Sequence, residues 1–104
     1  MFIFGKKKKI LIAFAAQTAD TLFSQAPPAL VEKHRLEKSK QATKQFHASV
    51  EDALMRVAQF KASEKPGIYG KAKLHLVFAN RLKELGYPDE VANEINAYIL
   101  TKTP

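Results

Sequence analysis

No cysteine occurs anywhere in the 104 residues, so disulfide stapling and thiolate metal sites are excluded. No apolar run approaches the roughly 20 residues that spanning a bilayer requires. No stretch alternates apolar and polar residues long enough to support a sheet, and no repeat is visible. Serine never stands between glycines in the manner of a nucleophile elbow. The three histidines, His34, His47 and His75, fall in separate segments without the spacing of paired metal ligands. These absences argue against an enzyme, a resident metal and an organic cofactor.

What remains is hydrophobic and basic. Apolar residues make up 46% of the chain, including seven phenylalanines, enough for a folded core at a common domain size. Seventeen basic side chains face ten acidic ones. Residues 1–45 carry a net +6, residues 46–86 a net +3 and residues 87–104 a net −2. Such a field favours encounter with acidic or phosphate-bearing partners without identifying them.

The periodicity predicts an all-α domain of three to four helices, spanning residues 10–104 behind a basic and apolar segment, residues 1–9. A first helix is expected over Lys8 to Ser24, with Leu11, Ala15, Ala19, Leu22 and Phe23 near one face. Pro27-Pro28 stops it, and Pro28 suits the first turn of a new helical segment. Residues 32–45 hold few apolar positions and read as a solvated helix or a linker. Phe46, Val50, Ala53, Val57 and Phe60 then form a helical stripe, with Ser49 and Asp52 resembling a capping pair. Lys65-Pro66-Gly67 signals a turn. A helix over Lys71 to Leu85 places Leu74, Phe78, Leu82 and Leu85 together, closed by Gly86. Pro88-Asp89-Glu90 opens the last helix, whose apolar face is Val91, Ile95, Tyr98 and Ile99.

Residues 1–16, MFIFGKKKKILIAFAA, admit three physical readings. An export signal needs a longer apolar stretch after Lys9 than Ile10 to Ile12 provide, although Ala13-Phe14-Ala15 has the small-x-small form. A core helix with a basic first turn is the plain reading. A membrane-surface contact would use Phe2, Ile3 and Phe4 together with Lys6, Lys7, Lys8 and Lys9. The expectation is therefore a chain that keeps its N-terminus and works in the cytoplasm, in part at a membrane surface.

Two further surfaces draw attention. The stretch Lys65 to Lys73, KPGIYGKAK, reads as a glycine-bearing loop ahead of a helix, where backbone amides and lysines could hold phosphate. Its two glycines lie too close together for the phosphate-loop motif. Lys33, Lys40 and Lys44 line one side of the 32–62 segment, opposite Phe46 and Val50. With Lys65, Lys71 and Lys73 they are the candidate phosphate or nucleic-acid surface. A helix-turn-helix reader is disfavoured, because its recognition helix would carry Asp89, Glu90 and Glu94 towards phosphates. His75 borders the Leu74 stripe and reads as a structural, part-buried histidine. The leading functional expectation is a non-enzymatic accessory or regulatory protein that binds a protein partner, with peripheral membrane contact as an accompaniment. Nucleic-acid binding is the alternative from another class, and an exported protein with a cleaved leader comes third.

Overall fold

Prolines, two left-handed lysines and two left-handed glycines mark the corners between the helices. The computed structural model describes the backbone of residues 2–104 and the side chains of residues 7–104. Helix α1 runs Phe2–Gln25, α2 Pro28–Glu32, α3 Lys40–Glu64, α4 Gly67–Glu84 and α5 Asp89–Lys102. A π-helical turn, Lys33–Glu37, comes directly after α2. Among the described residues there is no strand, and the fold is all-α.

Helix α1 begins earlier than its periodicity suggests and carries the lysine run within it. Leu11, Ala15, Ala19 and Leu22 form its buried face, and the small alanines let two other helices approach closely. Phe14 stacks on Phe60 of α3, and the Gln45 amide of α3 donates to the Gln25 carbonyl, so α1 and α3 run antiparallel. Leu11 lies against Gly70, and Arg81 reaches Asp20 at 2.8 Å, so α1 and α4 run parallel. The core joins these faces to Val50, Ala53, Val57, Leu74, Phe78 and Leu82, with Val91, Ile95 and Ile99 from α5. Phe46 and Phe60, expected inside, are only half-buried at the edges of this core.

The segment 32–62 is not one helix. Lys38 adopts a left-handed conformation (φ 52°, ψ 34°), and Ser39 restarts the chain as the N-cap of α3, accepting a hydrogen bond from the Ala42 amide at 3.3 Å. Ser49 is therefore not a cap. It sits buried inside α3, and its hydroxyl donates to the Gln45 carbonyl. A capping pattern marks a helix start only where the preceding chain cannot continue the helix, and here it can.

The stretch expected as a loop, Lys65 to Lys73, is mostly helix. Lys65 (φ 45°) and Pro66 make the corner, Gly67 (φ 76°) opens α4, and Gly70 to Lys73 form its early turns. The other end of α4 closes as expected. The Gly86 amide bonds the Lys83 carbonyl and the Tyr87 amide bonds the Leu82 carbonyl, the paired bonds of a Schellman cap. Gly86 supplies the positive φ, 103°, that this cap needs. Tyr87, next in the chain, is buried edge-on against Phe23, and its hydroxyl donates to the Ala26 carbonyl. That bond ties the end of α1 to the α4–α5 corner. Burial pushes the Tyr87 phenol well above its ordinary range. No described helix is long and apolar enough to cross a membrane.

Candidate functional site

Three places in the structure concentrate chemistry. The first is an open groove of about 600 Å³ bounded by α2, the π-turn, α3 and α5. Its floor is Val31, Phe46, Val50, Val91 and Ile95. Phe46 and Val50 stand one turn apart on α3, as do Val91 and Ile95 on α5. The rim is polar, with His34, Arg35 and His47 on one side and Glu51, Glu94 and Tyr98 on the other. The left-handed break at Lys38 creates this site, because it folds the π-turn back beside α3 and brings His34 to Phe46 and His47, ring centroids 5.1 and 5.6 Å away. His34 Nδ1 lies 2.6 Å from the Thr43 hydroxyl, which ties the π-turn to α3. Arg35 reaches Glu90 of α5 at 3.6 Å. On that second side the Tyr98 hydroxyl of α5 donates to Glu51 of α3, and that bond raises the phenol's pKa. Sequence spacing kept the histidines apart and gave no hint of this groove. Among the described residues, no three acidic or histidine side chains gather as metal ligands would.

The second place is the end of the molecule where α1 begins, α3 stops and α4 starts. Because α1 and α4 are parallel with Leu11 beside Gly70, Lys7 and Lys8 stand one turn further out, about 5.4 Å along the axis. Lys65, Lys71 and Lys73 surround the start of α4 at the same end. Thus two sets of lysines more than 50 residues apart in the chain come to the same end of the molecule. Phe2, Ile3, Phe4 and Lys6 have side chains outside the described residues. Lys33, Lys40 and Lys44 are elsewhere: Lys33 is in the π-turn, while Lys40 and Lys44 occupy the first turns of α3. Lys33 consequently does not share one helix with the other two, contrary to the expected stripe. The length of α3 separates Lys40 from Lys65 by about 37 Å, so the six candidate lysines do not form one surface.

The third place is buried. Lys61 and His75 are each only 5% exposed. Lys61 Nζ lies 2.9 Å from His75 Nε2 and 2.7 Å from the Thr103 hydroxyl, while His75 Nδ1 lies 2.9 Å from Asn96 Oδ1. An amide oxygen only accepts, so Nδ1 carries the imidazole hydrogen and Nε2 accepts from the ammonium. The Thr103 hydroxyl in turn donates to the Ile99 carbonyl. Burial lowers the pKa of Lys61, and the nearby Lys71 charge lowers it further. Burial also lowers that of His75, opposed by the Asn96 bond and reinforced by the Lys61 charge. Both side chains are buried away from the groove, and the network pins the ends of α3 and α5 to α4. The sequence marked His75 as structural; it carried no sign that Lys61, Asn96 and Thr103 join it.

In comparisons with known proteins, no family model, no curated protein and no solved structure matches this chain.

Proposed function

We propose that this chain is a non-enzymatic helical adaptor that holds an amphipathic helix of a protein partner in the groove between α3 and α5. The observation that carries this reading is the groove floor. It is apolar throughout, with Val31, Val50, Val91 and Ile95 buried and Phe46 half-buried, and the pairs Phe46–Val50 and Val91–Ile95 each span one helical turn, a spacing that meets the i, i+3, i+4 anchors of a docked helix. The rim, with Arg35 on one side and Glu51 and Glu94 on the other, orients such a segment, since charged rims act more on register and partner choice than on affinity. The polar groups stay at the rim and leave the floor apolar, as an apolar helix face requires.

The test is site-specific photocrosslinking from the full chain in its native cells. A photoreactive residue at His47 or at Glu94 should capture one common protein, and a third probe at Ala62, exposed near the far end of α3, should not. Glu94→Lys should reduce the capture from position 47. Equal labelling from all three positions would sink the reading.

A further inference from the structure

Residues 1–19 contain no acid, and neither do residues 65–83. The parallel packing of α1 on α4 brings the starts of these two stretches to one end of the molecule. That end also carries the barest large apolar side chains among the described residues. Ile68 is 86% exposed and Tyr69 92%, both in the first turn of α4. Almost fully exposed, they lie outside the core, and they sit within two to four residues of Lys65 and Lys71.

We infer that this end, built from Lys7, Lys8, Lys65 and Lys71 around Ile68 and Tyr69, docks on an anionic lipid surface. The charge is complementary, since lysines near such a surface are drawn to its headgroups. The two side chains between them match the layers beneath. Tyrosine suits the headgroup boundary, with a polar tip and an apolar ring, and isoleucine suits the acyl region. A nucleic acid would meet the lysines and could stack on Tyr69, but it offers no partner to a bare isoleucine. Glu64, the last residue of α3, is the acid nearest in sequence and stands on the α3 side of the corner. The docking groove lies mainly on the other half of α3, 14 or more residues from Lys65, so a partner helix and a membrane could be held at once. This inference does not depend on the groove having a partner.

The experiment uses the full chain with Tyr69→Trp, a single reporter because tryptophan is otherwise absent. The vesicles are phosphatidylcholine alone or phosphatidylcholine with about one-third phosphatidylserine. Emission should shift to the blue with the anionic vesicles only, and binding should weaken as salt rises. Replacing Lys65, Lys71 and Lys73 by glutamine should weaken binding by about fivefold per lysine. Ile68→Ser should weaken it without changing the helical circular dichroism, because that side chain supports no packing. Glutamine at Lys33, Lys40 and Lys44 should leave it unchanged. The inference is overturned by equal binding to neutral vesicles, by no binding, or by a greater loss from the Lys33 set. Tighter binding to a single-stranded oligonucleotide that ignores Ile68→Ser would also overturn it, and would assign the surface to nucleic acid.

Discussion

The Lys61 ammonium donates to the His75 imidazole across 2.9 Å, and both groups are buried with no carboxylate bonded to either among the described residues. A buried cation held by neutral acceptors makes stability depend on pH from both members of the pair. Folding lowers the pKa of His75, so the unfolded chain takes up a proton first as the solution is acidified. Stability should therefore fall from about pH 6.5 down to the folded value. Folding also lowers the pKa of Lys61, so the folded lysine gives up its proton before the unfolded one does. Between that lowered value and about 10.5 the unfolded state binds more protons, and stability should rise with pH. Urea melts across both windows check this, and Lys61→Met should flatten the upper one. A wild-type profile that is flat in both windows would contradict the geometry.

Phe78 is among the largest side chains with almost no exposure and lies where α4 meets the core. Phe78→Ala should cost about 3–5 kcal/mol, through lost burial and the cavity left behind. For a domain of this size that is a large share of the total. Denaturant unfolding followed by circular dichroism measures it.

Gly70→Ala separates two effects of opposite sign. Alanine in a helix is normally favoured over glycine by about 0.5–1 kcal/mol. Here the added methyl would stand 2.5 Å from Cβ of Pro66 and 3.5 Å from Leu11, and a proline ring has little freedom to move away. The substitution should destabilise by about 1–3 kcal/mol. A stabilised variant would show that the Pro66 corner does not pack against Gly70 as closely as described.

Tyr87→Phe keeps the ring against Phe23 and removes only the hydroxyl that caps the Ala26 carbonyl. Losing one partner of a buried hydrogen bond costs about 1–3 kcal/mol. Hydrogen exchange at the last turn of α1 should rise with it, because the tie to the α4–α5 corner is gone. Unchanged stability and exchange would mean water replaces the hydroxyl.

The helical periods of α1, α4 and α5 were legible because each buries a single stripe. Leu11, Ala15, Ala19 and Leu22, or Leu74, Phe78 and Leu82, could serve no other geometry. Gly86 and the Pro88-Asp89-Glu90 start were legible for a related reason: a left-handed cap and an N-terminal dipole each select a residue type. The break at Lys38 was not. Lysine pays a small penalty in a left-handed conformation and carries no signal for one, whereas Ser49 with Asp52 imitates a cap where the helix simply continues.

The sequence by itself therefore determined that this chain is an all-α protein, strongly basic towards its N-terminus, with helices closed by prolines and glycines, because apolar spacing and corner residues act locally along the chain. Tertiary structure decided everything that brings distant residues together. It placed His34 beside His47, put Lys7 and Lys8 near Lys65 and Lys71, and enclosed Lys61 between His75 and Thr103. Such pairings arise from the direction in which helices pack and from where the chain reverses. A lysine's long apolar stem lets it lie on a surface or run inside to a neutral acceptor, and only its neighbours from other helices select between the two.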